Sequence, residues 1–106
     1  MHPDRSDEEL SEAGFGAAVA DLILVGHTHV PGERRVAGCQ VVNPGPVSLP
    51  RTTDDLARWL LLTAAETGYT IEHRAVRYDL GRVIDDLERQ RHPAAAWLAA
   101  KMSGTR

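Results

Sequence analysis

A short apolar run that ends in a cluster of polar residues constrains the fold of this chain more than any other feature. Residues 22–25 read Leu-Ile-Leu-Val and lie between Asp21 and Gly26. Four branched apolar residues bounded in this way are typical of a strand buried on both faces. Gly26-His27-Thr28-His29 follows directly. The sequence therefore predicts a buried strand with two histidines beyond its carboxyl end.

Local signals place further elements along the chain. Ser6 followed by Glu9 has the form of a capping box for a short helix over residues 7–13. Residues 36–42 are expected to be extended with a turn at 37–38, and residues 57–65 and 69–78 to form a hairpin. Asp79 is expected to cap a helix that ends near residue 90, and Pro93 to begin a last helix. These elements predict an α/β fold, with residues 1–106 as one domain.

Composition excludes several classes of function. The chain of 106 residues has a net charge of −3, which argues against a dedicated nucleic-acid binder because such proteins carry a basic surface. Its single cysteine, Cys39, excludes an internal disulfide and a cysteine-cluster zinc site, and a reducing, cytoplasmic setting is expected. No apolar run approaches the roughly 18–20 residues of a membrane span, so no membrane partner is expected.

The histidine pair is the main candidate for chemistry. In extended backbone, residues two apart point the same way and lie roughly 6.6 Å apart. His27 and His29 could then share one metal ion, or each reach one of two ions that lie about 3.5–4 Å apart. The alternative interpretation is that both are ordinary polar residues in a loop at the end of a strand.

Two ordered motifs then resemble a known family. Residues 22–31 (LILVGHTHVP) and 41–51 (VVNPGPVSLPR) resemble the C-terminal part of calcineurin-like metallophosphoesterases, in which a strand ends in Gly-His-Thr-His and a Val-Asn-Pro-Gly-Ser-Val-Gly-type loop follows. Pro46 and Ser48 depart from the common Ser and Gly. The resemblance extends to the hairpin and the final helices, and it implies a partial αββα sandwich.

The resemblance implies a metal-dependent phosphoesterase activity on phosphate monoesters or diesters. In this family two divalent metals, held by Asp, His and Asn side chains, activate water for attack on phosphorus. The resemblance assigns His27 to one metal and His29 to the other, and the candidate ions are Mn, Zn, Fe and Ni. His2 is a further ligand candidate, although the usual spacing falls on Met1, and a terminal histidine without a role is the alternative.

The family's Asp-x-His, Gly-Asp-x-x-Asp-Arg and Gly-Asn-His-Asp/Glu motifs do not occur in this sequence. The chain is therefore expected to carry half of a metal site, and to be inactive alone. Self-association through the unpaired strand, or a missing N-terminal half supplied as a separate chain, would provide a partner. The alternative function is a non-catalytic or regulatory module derived from the same fold.

Other polar and aromatic residues have simpler interpretations beside functional ones. Asn43 is expected to form a turn, with orientation of a site ligand as the alternative. Arg51 is a candidate contact for a substrate phosphate, and a solvated loop arginine is the alternative. We expect no catalytic role for the remaining candidates and expect the tryptophans to be core or packing residues; these residues are Cys39, His73, His92, Trp59 and Trp97.

Overall fold

The computed structural model describes Ser6, residues 20–52 and residues 54–103. The chain divides into two compact units, Met1–Gly45 and Pro46–Arg106. The helix expected at residues 7–13 lies outside the described residues. The prediction that residues 1–106 form a single domain stays a prediction.

The first unit contains a mixed three-stranded sheet. Its strands are β1 (Leu22–Leu24), β2 (Gly32–Val36) and β3 (Cys39–Asn43), in the spatial order β1-β3-β2. β1 runs parallel to β3, with Ile23 opposite Val41, and β2 runs antiparallel to β3. The central strand β3 therefore has a neighbour on each side.

A two-residue turn at Ala37-Gly38 joins β2 to β3. Both residues have positive φ angles, 50° and 81°, which is the backbone twist that a tight hairpin of this length requires. The turn sets Val36 opposite Cys39, and both side chains are buried. The expected turn at residues 37–38 is thus confirmed, and Cys39 is a buried thiol as its simpler interpretation predicted.

The apolar core of this unit is centred on β3. Val36 and Val41 are buried, with Ile23 and Val25 packed against them. The prediction that the run at residues 22–25 is buried on both faces is wrong, because Leu24 is 49% exposed and the rest of β1 is half-buried. Within the described residues β1 is an edge strand paired with β3 alone, so the fully covered strand is β3.

The second unit begins with a long hairpin. β4 (Ala57–Ala65) and β5 (Gly68–Val76) pair antiparallel along their whole length, as the alternating pattern predicted. Trp59 is 40% exposed, so of the two expected roles it is a packing residue and not a core residue. It stands opposite Arg74, whose guanidinium lies 5.3 Å from the ring centroid. A cation covers one ring face here in place of an apolar layer.

Two helices complete the second unit and contact each other: α1 (Leu80–Arg89) and α2 (Ala95–Met102). The Asp79 side chain accepts a hydrogen bond from the Arg82 amide at 3.1 Å, so the predicted cap is confirmed. Pro93 lies in the turn before α2 and does not begin it. Trp97 is 57% exposed and is not a core residue. None of the described helices has the length and apolar character needed to cross a membrane.

An ion pair at the start of β4 gives the second unit a defined pH dependence. Arg58 donates to both Asp54 oxygens, at 2.9 and 2.7 Å, and the Leu56 amide donates to Asp54 at 3.3 Å. Hydrogen bonding to the Arg58 guanidinium lowers the pKa of the Asp54 carboxyl to about 2. The carboxylate therefore adds stability above its unfolded pKa of about 3.9, and that stability is lost as pH falls through about 2.

We expect Asp54→Asn to lower the urea midpoint at pH 7, with the difference from wild type shrinking between about pH 4 and pH 2. Asp85→Asn, at an exposed position of α1, is the matched control and should leave the pH 7 midpoint nearly unchanged. A deficit of Asp54→Asn that is equally large at pH 7 and pH 2 would show that the carboxylate charge is not the cause.

Candidate metal centre

The strand order requires the histidine segment, residues 25–31, to cross the end of the central strand β3. β1 and β2 flank β3, so the seven residues that join them, from Val25 to Pro31, cross over the carboxyl end of β3. The Val25 amide donates to the Val42 carbonyl at 2.9 Å, which continues the parallel pairing up to this crossing. The carboxyl ends of neighbouring parallel strands are where ligands bind in open α/β sheets.

Asn43 is the last residue of β3 and lies beneath this crossing segment. It is 1% exposed. Its Oδ1 accepts a hydrogen bond from the Gly45 amide at 3.0 Å, and its Nδ2 donates to the Thr28 Oγ1 at 3.0 Å. Asn43 therefore forms the predicted turn, and its side-chain amide also contacts the histidine segment at Thr28.

The backbone of the histidine segment is strained at both histidines. His27 has a φ of 81° and His29 a φ of 59°, in the left-handed region that costs a non-glycine residue about 1–3 kcal/mol. The extended geometry in which the two imidazoles would point the same way is therefore not adopted, because the segment must turn over β3 to reach β2. Strained residues of this kind cluster at functional sites, where the surrounding structure holds them.

The donor set offered by these residues suits part of a metal site. His27 is exposed and His29 is half-buried, and a neutral imidazole is a common metal ligand. Among the residues that the structure describes, no group of three or more His, Cys, Asp or Glu side chains is placed to hold one ion. The two imidazoles have the chemistry of metal ligands, and the described residues bring no third such side chain to them.

The remaining candidate residues lie outside the histidine segment in the chain. Arg51 is exposed and belongs to the second unit, and His2 lies outside the described residues. His73 is exposed on β5. The His92 Nδ1 accepts a hydrogen bond from the Ala94 amide at 3.0 Å, which is a local structural role, as expected.

Thr28 is the site residue that sequence reasoning missed. It lies between the two histidines and carries the hydroxyl that accepts from Asn43. Its partner is 15 residues away in the chain, so no local pattern joins them. The one available signal is that Asn43, which has a hydrogen-bonding side chain, directly follows the apolar pair at residues 41–42.

Comparison with known proteins decides the family. Residues 1–67 match the sequence model of the calcineurin-like phosphoesterase superfamily domain, and this range includes the histidine segment, Asn43 and Arg51. The chain belongs to the calcineurin-like phosphoesterase superfamily. The family resemblance of the two motifs is thereby confirmed, and this family generally uses divalent metals.

A solved structure shows the same fold. The crystal structure of the metallophosphoesterase from Sphaerobacter thermophilus superposes with a TM-score of 0.73 at 22% identity, over 90% of this chain and 47% of that one. The α/β class of the metallophosphoesterase type is thus confirmed. The calcineurin-like chain spans about half the length of that protein. No curated protein matches it.

Proposed function

We propose that this calcineurin-like chain supplies part of a two-metal phosphoesterase site, with His27 and His29 as imidazole ligands. The observation that carries the proposal is the strained histidine pair at the carboxyl ends of two parallel strands. The superfamily match includes this segment. The substrate class is a phosphate ester.

The chain's own residues hold and orient the ligands. The crossing segment presents the two imidazoles one residue apart, and the buried Asn43 fixes the Thr28 between them. A pair of bound divalent ions would polarise the phosphoryl oxygens and stabilise the charge of an in-line displacement. Imidazole nitrogen is compatible with Zn, Fe and Ni, and Mn is the fourth candidate for the metal.

A complete site needs ligands beyond those of the described residues. Four ligands per ion is a reasonable minimum, so two ions need about seven or eight contacts with some shared. The described residues contribute two imidazoles. We propose that the remaining ligands come from segments equivalent to the part of the Sphaerobacter thermophilus protein that this chain does not cover.

Metal titration of the chain tests the proposed ligands. We expect Zn²⁺ binding, followed by isothermal titration calorimetry at neutral pH, to weaken by at least about tenfold in His27→Ala and in His29→Ala, because each change removes a direct ligand. His73→Ala is the matched control and should bind Zn²⁺ like wild type, since His73 lies on the other unit's hairpin.

Equal Zn²⁺ affinities in wild type, His27→Ala and His29→Ala would contradict the proposal. The alternative function, a non-catalytic module that retains the fold, predicts that result. The His73→Ala control separates loss of this site from a general loss of histidine-dependent surface binding.

A further inference from the structure

We propose that Asn43 is a positioning residue for the metal centre and that it acts through Thr28. The inference rests on the proposed function, because it concerns the two histidines proposed as ligands. It goes further by identifying the contact that holds them in their strained geometry.

The direction of each hydrogen bond follows from the chemistry of the groups. The Gly45 amide is a donor only, so the Asn43 atom that faces it at 3.0 Å is the carbonyl Oδ1. The other end of the side chain is then the Nδ2 donor, which faces the Thr28 Oγ1 at 3.0 Å. Thr28 is therefore the acceptor, and the orientation of the amide is not ambiguous.

The Asn43–Thr28 hydrogen bond is placed to restrain the backbone of both histidines. Thr28 is flanked by the two residues of positive φ, His27 and His29. A strained backbone persists only where its surroundings hold it. Asn43 is almost fully buried at the end of β3, the best-covered strand, so it is a fixed point to which the exposed segment is attached.

The hydrogen bond to Thr28 also explains how a polar residue, Asn43, can occupy a buried position. A buried amide is expensive unless its donor and acceptor are both used. Asn43 uses its oxygen for the turn at Gly45 and its nitrogen for Thr28. An aspartate in this position would place a charge at the site, and an apolar residue would remove both contacts.

Substitutions at Thr28 test the inference more cleanly than substitutions at Asn43, whose truncation would disturb the end of a buried strand. Thr28→Val preserves the shape of the side chain and removes the acceptor. Thr28→Ser keeps the hydroxyl and is the matched control. Val36→Ala, at the buried end of β2 in the same unit, serves as a control for general loss of stability.

The first readout is Zn²⁺ affinity. We expect Thr28→Val to weaken Zn²⁺ binding by about tenfold to a hundredfold, the usual effect of removing a residue that orients a ligand. Thr28→Ser keeps the hydroxyl and should bind Zn²⁺ with near wild-type affinity. Val36→Ala should lower the melting temperature without this loss. Wild-type affinity in Thr28→Val, or an equal loss in Thr28→Ser, would overturn the inference.

The second readout needs no metal and separates this inference from the proposed function. Amide order parameters of His27 and His29, measured by ¹⁵N relaxation, should fall below about 0.6 in Thr28→Val and stay at rigid values in wild type and Thr28→Ser. Unchanged order in Thr28→Val would overturn the positioning role. A second outcome combines loss of order in Thr28→Val with equal Zn²⁺ affinity in wild type and His27→Ala. That outcome would contradict the proposal that the histidines are metal ligands, and Asn43 would then only order the segment.

Discussion

The 106-residue chain, purified alone and supplied with Mn²⁺, should not hydrolyse bis-p-nitrophenyl phosphate faster than Mn²⁺ in buffer. A two-metal displacement requires both ions to be fixed a few ångströms apart. The described residues hold no cluster of three or more potential ligands. Two imidazoles at the end of β1 leave most of the coordination of each ion to water.

Adding the part of the Sphaerobacter thermophilus metallophosphoesterase that this chain does not cover, fused or as a separate chain, should restore Mn²⁺-dependent hydrolysis. In the restored enzyme, His27→Ala or His29→Ala should reduce turnover by about a hundredfold or more, since each removes a ligand outright. His73→Ala should leave turnover unchanged.

Robust turnover by the 106-residue chain alone, lost in His27→Ala, would contradict the half-site account. It would mean that this chain completes a site by itself or with a second copy. Sedimentation of the active preparation would distinguish these two cases, because the second requires a dimer.

The second large effect is expected at the centre of the first unit. Val41→Asp should abolish the cooperative unfolding transition of this unit or shift it to much lower temperature. Val41 is 0% exposed, and a buried carboxylate without a partner costs several kcal/mol even after relaxation. That cost is comparable to the whole stability of a small domain, about 5–15 kcal/mol.

Val47→Asp is the matched control, because Val47 is 70% exposed and the same substitution there leaves the charge in water. Circular dichroism melts of the two variants should differ sharply. Similar melting curves for Val41→Asp and wild type would show that β3 is not the buried centre of the three-stranded sheet.

Local signals account for the parts of the fold that were predicted correctly. The hairpin follows from the alternating residues of β5 and from the turn at residues 66–67, after which Gly68 begins β5. The start of α1 follows from Asp79. In each case the residues that decide the structure are neighbours in the chain. Sequence patterns report such neighbours directly.

Contacts distant in sequence account for what was missed. Pairing of β1 with β3 places Thr28 beside Asn43, and the strand order β1-β3-β2 bends the histidine segment away from extended geometry. No pattern of neighbouring residues indicates either the Thr28–Asn43 contact or the bend of the segment. The exposed Trp59 has the same origin, because apolar alternation indicates which residues share a face and not whether another layer covers it.

The most direct test of the central claim is a long-range ¹H–¹⁵N spectrum of the histidine rings as Zn²⁺ is added to the chain. Coordination changes the shift of the nitrogen that binds the metal. We predict that the ring nitrogen resonances of His27 and His29 shift and saturate with Zn²⁺, while those of His73 and His92 do not shift. Saturable Zn²⁺ binding that leaves both His27 and His29 unshifted would contradict it.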